Sequence, residues 1–418
     1  MGKNKKKPTA HSTSDDSELC NLLEQLLNLT TQEDKSELPN DVLESFALDS
    51  DIFLSVPLDL MMTSDCAVEK TQFGPLLRED PICSKMSNVR LSLFLLNELA
   101  KGEEGFWHFY IRCLPSRYCT VLYFTEEDMR FLSGSTTLDS ACRMNRSIAR
   151  QYAYFKRKFL TEAKWKKQPA AKIFTFEAYR WACSTVMTRQ NELPSLTPGR
   201  MQMALVPLWD MCNHDTLRSG TDYDVASQQL VSFATREYKK NEQVNIFYGN
   251  RANAQFMLHN GFVPDENQWD SLAIKIGLSK ADKLFEMKRR LCEQMKIPTS
   301  DVFELKKAPD GDGVLVPKVL LHLVHILQWK APSDGTTSGT DVGADPSDAT
   351  DPVRTKKAKT FLHVRCQLLM KALPRSVEEL TEILNDPTTS LESKLAIRYR
   401  LSEQRMLTNA CNKILFTV

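Results

Sequence analysis

The stretch LVPLWDMCNH at residues 205–214 and the stretch IFYGNR at residues 246–251 carry the clearest signal in this sequence. Each joins an apolar run to a group of polar side chains, a pattern that predicts a short strand followed by a polar turn. TRQN at 188–191 and HNGF at 259–262 likewise place polar residues beside a helix end or a turn. Polar groups held at the ends of rigid elements are typical of a functional site. These stretches are therefore predicted to present one.

Taken one at a time, the reactive residues of these stretches also have ordinary structural explanations. Tyr248 is either a held catalytic hydroxyl or a half-buried tyrosine whose hydroxyl meets solvent. His214 is either a catalyst or ligand, or a hydrogen-bonded structural residue. Cys212 and His214 lack a further Cys/His cluster, so no metal site is predicted. Trp209 belongs to a core or a pocket wall, and an isolated Arg189 is by default a surface residue.

The hydrophobic pattern divides the chain into a mixed domain and a helical domain. Residues 1–45 are polar and predicted to be mostly disordered. Residues 46–265 form the mixed domain, with a helical insert at about 64–190. Residues 272–418 are predicted to be all helical, apart from a flexible insert at 332–356 that is rich in Gly, Ser, Thr, Asp and Pro. This is an α+β fold with predicted strands at Ile52–Leu58, Met203–Leu208, Gln229–Ala234 and Gln243–Phe247.

Composition and charge restrict the classes of function. The chain is 42% hydrophobic and 26% charged, as soluble globular proteins are, and its net charge of +1 predicts neither nucleic acid nor membrane as a partner. The basic cluster recognised in the sequence is the tail Lys3–Lys7. Eleven scattered cysteines without a Cys-x-x-Cys pair predict reduced thiols, and no leader or spanning segment is recognised. We expect an intracellular monomer, located in the cytoplasm or also in the nucleus.

An Asn-His pair after an apolar strand, followed some thirty residues later by Tyr-Gly, resembles the SET domain of protein methyltransferases. In that family the two segments thread together in a knot-like arrangement. The similarity is greatest to the branch with a long helical insert and a C-terminal helical substrate-binding domain, which includes Rubisco lysine methyltransferases and actin-histidine methyltransferases. The motifs that look most like the actin-histidine group are VMTRQN, LVPLWDMCNH, IFYGNR, HNGF and RQYAYF at 150–155.

The resemblance implies S-adenosylmethionine as cofactor and assigns residues to it. Arg189 and Asp210 would hold its amino-acid end, as charge-assisted hydrogen bonds can. The backbone of His214 would read the adenine edge, and Phe262 would stack on the ring. Asn260 stands where close relatives tend to carry Ser. The full set implied for the cofactor is Arg189, Asp210, Met211, Cys212, Asn213, His214, Tyr248, Asn260 and Phe262.

The resemblance also implies the catalytic and substrate-binding residues. The Tyr248 hydroxyl would orient the methyl group and the incoming nitrogen. Asn191 would hydrogen-bond one ring nitrogen of a target histidine and so leave the other free to attack. A lysine target would first have to lose its proton, since its reference pKa is about 10.4. The residues predicted to line the peptide groove or to meet an acidic substrate segment are Trp209, Leu193, Tyr223, Ile246, Arg150 and Arg251.

One departure from the family concerns the first strands. SET domains normally open with a Glu-Gly-x-Gly-like turn whose backbone approaches the cofactor, and the residues before Ile52 contain no such turn. The expected function is a protein-histidine N-methyltransferase acting on actin. The alternatives are a lysine methyltransferase of another non-histone protein, and a non-catalytic variant that only binds actin.

Overall fold

The computed structural model describes residues 45–46, 52–216, 220–234, 236–239, 242–329 and 352–416. Helices and small sheets are both present, which confirms the predicted α+β class. The predicted N-terminal segment 1–45 lies outside the described residues except for Ser45. Two compact units are defined by contacts within the chain. The first comprises Met1–Tyr118 and Arg146–Gly249, and the second comprises Cys119–Asn145 and Asn250–Val418.

The elements are numbered in chain order. The described α-helices are α1 (Ser64–Glu69), α2 (Gly74–Glu79), α3 (Ser87–Leu99), α4 (His108–Cys113), α5 (Glu126–Arg130), α6 (Thr136–Thr161), α7 (Ala163–Lys166), α8 (Phe176–Arg189), α9 (Asn253–Gln255), α10 (Phe285–Gln294), α11 (Lys318–Gln328), α12 (Pro352–Lys371), α13 (Val377–Asn385) and α14 (Leu391–Asn412). The described strands are β1 (Ser45–Phe46), β2 (Ile52–Pro57), β3 (Met62–Thr63), β4 (Asn191–Pro194), β5 (Met201–Leu205), β6 (Asn213–His214), β7 (Gly220–Asp224), β8 (Gln229–Phe233), β9 (Tyr238–Lys239), β10 (Asn245–Ile246), β11 (Ser271–Gly277), β12 (Ser300–Lys307), β13 (Val314–Val316) and β14 (Ile414–Phe416).

The first unit contains four small sheets. Strand β8 lies between β2 and β7 in an antiparallel sheet, and β5 lies between β3 and β4 in another. Strands β1 and β9 pair antiparallel, whereas β6 and β10 pair parallel. The strands predicted near Ile52, Met203, Gln229 and Gln243 are all present. The last is only two residues long, Asn245–Ile246.

Strand β2 lies at the edge of its sheet. Its ladder partner among the described residues is β8, and the Ile52 side chain at its start is exposed. The predicted absence of the family's opening hairpin stays a prediction, because most residues before β2 lie outside the described residues.

The predicted helical insert is present between β3 and β4. Helix α8 begins after Thr175, whose hydroxyl accepts from the backbone N–H of Ala178, so the predicted N-cap is confirmed. Within the insert, the rings of Phe159 and Phe174 lie 4.6 Å apart beside the buried Trp165. One grouping differs from the prediction, since Cys119–Asn145 of the insert belongs to the second compact unit.

The prediction that residues 272–418 are all helical is wrong, because a four-stranded sheet, ordered β11-β12-β13-β14, lies in the second unit. The sequence SLAIKIG of β11 alternates strictly: Leu272, Ile274 and Ile276 are buried, whereas Lys275 and Gly277 are exposed. Alternation with period two is the signature of a half-buried strand. The core of this unit combines that buried row with side chains of α10, α11, α12 and α14.

The predicted end of the flexible insert is also wrong. Helix α12 begins at Pro352, so residues 352–356 are helical rather than part of the insert. Proline is favoured at the first helical position, because its missing N–H would have no intrahelical partner there. The remainder of the predicted insert, 332–351, lies outside the described residues.

Gly261 is the position where the backbone of the second unit most requires a glycine. It has φ of +80°, its N–H donates to the carbonyl of Phe256 at 2.9 Å, and a Cβ there would lie 2.3 Å from the carbonyl oxygen of Cys119. Gly261→Ala should therefore lower the free energy of unfolding by about 2–4 kcal/mol, through left-handed strain and a backbone clash together.

Gly199→Ala is the matched control in urea unfolding. Gly199 also has positive φ, +74°, but a Cβ added there would have no described neighbour within 4 Å. Its substitution should cost only the conformational part, about 1 kcal/mol. Equal losses for the two variants would show that the close approach of Cys119 does not constrain this turn.

Candidate functional site

The two stretches that stood out in the sequence meet through parallel pairing of β6 and β10. Asn213 lies opposite Asn245, and His214 lies opposite Ile246. The N–H of Asp215 then donates to the carbonyl of Ile246 at 3.0 Å. Because the pairing is between segments about thirty residues apart, it fixes where the chain that follows each strand can go.

Tyr248 follows β10 and lies against the segment that contains β6. Its hydroxyl donates to the backbone carbonyl of Cys212 at 2.7 Å, and its N–H donates to Nδ1 of His214 at 3.2 Å. The centroids of the Tyr248 and His214 rings are 5.2 Å apart. The half-buried hydroxyl is thus held against a carbonyl, as the catalytic interpretation of Tyr248 requires, and is not directed freely into solvent.

Leu208 stores backbone strain immediately before the polar segment. It has φ of +66° and ψ of −47°, and the N–H of Trp209 donates to the carbonyl of Pro207 at 2.8 Å across it. A γ-turn with positive φ is rare, and is costly for a residue that has a Cβ. Strained backbone of this kind persists only where the surrounding structure holds it in place, and it is concentrated at functional sites.

Arg189 and Asp210 form a buried ion pair. One guanidinium nitrogen of Arg189, Nη1, donates to the carbonyl of Asp210 at 2.6 Å and lies 3.3 Å from its carboxylate. The hydroxyl of Tyr110 donates to the other carboxylate oxygen at 2.5 Å. Burial raises the pKa of the Asp210 carboxyl to about 6, against the opposing effects of Arg189 and Tyr110. Burial also raises the pKa of Tyr110 well above its usual value.

Polar atoms without hydrogen-bond partners lie beside this pair. Nε of Arg189 and Oε1 of Gln190 are buried and make no hydrogen bond with the described residues. The hydroxyl of Tyr118 is also buried, close to Arg189 and Thr185, without forming a well-aligned bond to either. A buried polar atom that is left unsatisfied is costly, and a polar ligand would relieve that cost.

Asn191, the first residue of β4, is held two residues from Arg189. Its Nδ2 donates to the carbonyl of Arg189 at 3.1 Å, and no described residue donates to its Oδ1. The side chain is partly exposed. In this orientation Oδ1 is available to accept a hydrogen bond from an N–H donor such as a neutral imidazole.

Three of the predicted groove residues lie in the core of the first unit. Leu193, Trp209 and Ile246 are buried in one cluster, and Ile246 has no exposed surface. The indole N–H of Trp209 donates to the Thr221 hydroxyl at 3.3 Å. Tyr223 packs at the edge of the same cluster and is partly exposed. Ile246 therefore supports the site from beneath, whereas Tyr223 is the member best placed to meet a ligand.

The remaining residues implied for the cofactor in the first unit differ in exposure. Asn213 is exposed, and Met211 is partly buried. The Cys212 thiol lies 3.9 Å from the carbonyl of Leu208, and burial raises its pKa to about 11, so it stays protonated at neutral pH. Arg150 is exposed on α6.

Arg251, Asn260 and Phe262 belong to the second unit. Nη1 of Arg251 donates to Oδ1 of Asn260 at 2.7 Å, so these two predicted residues bind one another. The ring of Phe262 lies 5.0 Å from that of Phe256. Asn267 donates to the carbonyl of Arg251 at 2.7 Å, which anchors the chain shortly after Tyr248.

Sequence reasoning missed the two tyrosines that line the buried ion pair. Tyr110 and Tyr118 belong to the helical insert, and Tyr110 precedes its partner Asp210 by 100 residues. No spacing or local pattern connects them, so only the tertiary structure identifies them. The described residues contain no group of three His, Cys, Asp or Glu side chains that would hold a metal ion. None of the described helices is both long and apolar enough to cross a bilayer.

Comparison with known sequences identifies relatives over most of the chain. The chain is 36% identical over 370 residues to the actin-histidine N-methyltransferase of Mus musculus and 37% identical over 364 residues to that of Homo sapiens. Each alignment covers 86% of this chain and 61% of the relative. The chain therefore spans about three fifths of the length of the curated relatives that it matches. Residues 279–407 match the family model described as Rubisco LSMT substrate-binding.

Comparison with solved structures identifies the fold. The crystal structure of the SET domain of LSMT bound to lysine and AdoHcy matches with a TM-score of 0.69 at 17% identity, covering 96% of this chain and 91% of that one. The structure of Rubisco LSMT bound to AdoMet matches with a TM-score of 0.66 at 18% identity, covering 95% and 90%. The predicted SET-domain fold is confirmed.

The raised pKa of Asp210 gives a pH test. Since its native pKa of about 6 exceeds the ordinary value of 3.8, the native state binds more protons than the unfolded state between these values. The contribution to stability is fully present below pH 4 and is lost as the pH rises through 6. When the pH rises from 4.5 to 7.5, the unfolding free energy of the wild type should therefore fall by on the order of 1–3 kcal/mol relative to that of Asp210→Asn.

Urea unfolding of the two proteins at both pH values measures this shift. Asp224→Asn is the control, because the Ser227 hydroxyl lowers the pKa of Asp224 and its exposed carboxylate stays ionised across this range. The difference in unfolding free energy between Asp224→Asn and the wild type should hardly change between the two pH values. If the wild type instead gained stability relative to Asp210→Asn as the pH rises, the Arg189 charge would have a larger effect on the Asp210 pKa than burial has.

Proposed function

We propose that this chain, which has the SET-domain fold and is homologous to the actin-histidine N-methyltransferases, is an S-adenosylmethionine-dependent protein-histidine N-methyltransferase that acts on actin. The observation that carries the proposal is the hydrogen bond from the Tyr248 hydroxyl to the Cys212 carbonyl, where two motifs of the family meet. The relatives' name supports actin as the substrate and histidine as the target.

The polar atoms of the first unit fit such a cofactor. The unpartnered Nε of Arg189 and hydroxyl of Tyr118 offer buried hydrogen bonds to its polar end, and the exposed amide of Asn213 offers another. Arg189 would act through Nε, because Nη1 is already bound to Asp210. When bound, the cofactor supplies an activated methyl group on a sulfonium sulfur. The ion pair of Arg189 and Asp210 then serves to hold the guanidinium in place.

The Tyr248 hydroxyl and the Cys212 carbonyl are placed to position the reacting groups. Their two oxygen atoms lie 2.7 Å apart and form a fixed polar edge against which a methyl group and a nitrogen can be aligned. Methyl transfer requires alignment and the exclusion of water more than it requires acid or base catalysis. The apolar cluster beneath Tyr248, which includes Trp209 and Ile246, keeps this edge rigid.

Asn191 supports histidine as the target. Its Oδ1 is available to accept from one ring N–H of imidazole, which leaves the lone pair of the other nitrogen to attack. Imidazole is mostly neutral at pH 7, so no general base is needed to generate the nucleophile. A lysine target would need its proton removed, and the carboxylate of Asp210 is already bound by Arg189 and Tyr110.

The edge position of β2 favours one alternative, a variant that binds actin without methylating it. Strand β2 pairs with β8 alone among the described residues, and the family's opening turn, whose backbone would approach the cofactor, is not recognised in the sequence before it. Mass spectrometry of actin, incubated with this protein and isotopically labelled cofactor, separates the two functions. The methyltransferase leaves a labelled methyl group on a histidine, whereas the binding variant leaves none and still associates with actin. The cytoplasmic or nuclear location predicted from the sequence remains a proposal.

Tyr248→Phe should abolish most of this labelling while the fold persists. Only the hydroxyl is removed, so the cost in stability should be about 1 kcal/mol. The rate should fall at least tenfold, because the methyl and the nitrogen lose one of the two oxygens that align them. Tyr238→Phe is the control, since it removes the hydroxyl of another buried tyrosine of the same unit. Unchanged labelling by Tyr248→Phe would exclude the catalytic role.

Asn191→Ala should lower histidine methylation without a matching loss of cofactor affinity. One hydrogen bond to a neutral ring is worth about 0.5–1.5 kcal/mol, or several-fold in rate. Methylation is followed by mass spectrometry and cofactor binding by calorimetry. If both quantities fell by the same factor, Asn191 would be a structural residue of β4 and the choice of histidine would need another explanation.

A further inference from the structure

A strongly basic segment of the first unit remains outside the site. Residues 146–172, from the middle of α6 through α7 and the turn that follows, contain nine Lys or Arg and one acidic residue, Glu162. The segment therefore carries a net charge of +8, whereas the remaining 391 residues carry −7. The near-neutral charge of the whole chain hides this separation. Arg150 is the only member that the sequence analysis singled out.

The charges on α6 lie on one side of the helix. Arg146, Arg150 and Arg157 are spaced by four and seven residues, which places them within about 40° of one another around the helix axis. All three are exposed, whereas Phe155 and Phe159 on the opposite side are buried. The helix therefore presents a row of three arginines to solvent.

Seven exposed cations of this segment form no ion pair with any described residue. The nearby acids are already bound elsewhere: Glu162 and Asp80 both contact Lys158 at 3.2 Å, and Glu177 pairs with Arg180. Some exposed cations in other parts of the structure do pair, as Lys70 does with Asp59 at 2.7 Å. The seven that define the basic face are Arg146, Arg150, Arg157, Lys164, Lys166, Lys167 and Lys172.

Like charges repel along a helix, so an unpaired row of cations lowers stability unless a partner compensates it. We infer that the basic face docks an acidic surface of the protein substrate, away from the segment that carries the target side chain. The inference rests on the proposed function, because the substrate is the protein partner that must be brought to Tyr248. Opposite charges on two proteins raise the rate of encounter and orient it.

The observations favour a protein over other polyanions. Surfaces that bind single-stranded nucleic acid interleave cations with aromatic rings on which bases stack. Here the rings of Phe155, Phe159 and Trp165 are buried, and Tyr152 stacks on Phe174 inside the insert. A membrane-binding helix needs an exposed apolar face. In residues 146–172, Leu160 is the only large apolar side chain that is exposed.

The test compares two triple variants with equal changes in charge. Arg146→Glu/Arg157→Glu/Lys164→Glu, the α6 variant, reverses two cations of the row on α6 and one just after it, and leaves Arg150 unchanged. Arg200→Glu/Lys239→Glu/Lys275→Glu reverses three exposed cations elsewhere. Steady-state rates are measured on intact monomeric actin and on a peptide that carries only the target histidine and its neighbours.

On intact actin at low salt, the α6 variant should lose about tenfold or more in kcat/KM, and the control variant less than about twofold. The loss should shrink in about 0.5 M salt, where charges are screened within a few ångströms. On the peptide, both variants should match the wild type. The unfolding temperature of the α6 variant should not fall, because the new glutamates attract the cations that remain in the basic face. An equal loss on peptide and actin would overturn the inference.

Direct binding separates this inference from the proposed function. If the wild type methylates neither substrate, the proposed activity fails, and binding of fluorescent actin then decides the docking surface on its own. Weaker binding by the α6 variant alone supports the basic face. Equal binding by all three proteins, or no binding by any, overturns it. Binding of duplex DNA or of phosphatidylserine vesicles that the α6 variant alone loses, with actin binding unchanged, would assign the face to a different polyanion.

Discussion

The parallel pairing of β6 with β10 is the constraint on which the rest of the site depends. Only two residues of each strand take part, yet the pairing brings chain segments about thirty residues apart side by side. Tyr248 then has little freedom, because both its N–H and its hydroxyl are bound to the neighbouring segment. A short ladder can hold such a geometry because the apolar cluster beneath it is closed to water.

A buried ion pair ties the helical insert to that same segment. Asp210 receives bonds from Arg189 at the end of α8 and from Tyr110 in α4. A charged pair of this kind gains little net stability, because desolvation offsets the attraction between the charges. Its value is geometric: the guanidinium is fixed, and its buried Nε has no hydrogen-bond partner among the described residues. The strained turn at Leu208 fits the same picture, since local strain persists where tertiary contacts hold it.

Charge is distributed unevenly between the site around Tyr248 and the basic face. The site itself has the ion pair of Arg189 with Asp210 and a Cys212 thiol that burial keeps protonated at neutral pH. The exposed side of α6 and the residues after it carry uncompensated positive charge. In the proposed function, the basic face attracts the substrate and the site around Tyr248 aligns the reacting groups. Substrate binding can therefore be altered without changing methyl transfer.

The sequence alone determined the α+β class, the helical insert, the strand segments and the motifs that meet at Tyr248, because local periodicity and motif order are properties of the chain. It did not determine the sheet in the C-terminal unit, where the alternation in β11 was outweighed by the helical pattern around it. Tyr110 and Tyr118, the burial of Ile246 and the unpaired row on α6 depend on which residues meet across long stretches of sequence. Only the tertiary structure decides these features, because the burial and pairing of a residue depend on neighbours that are distant in the sequence.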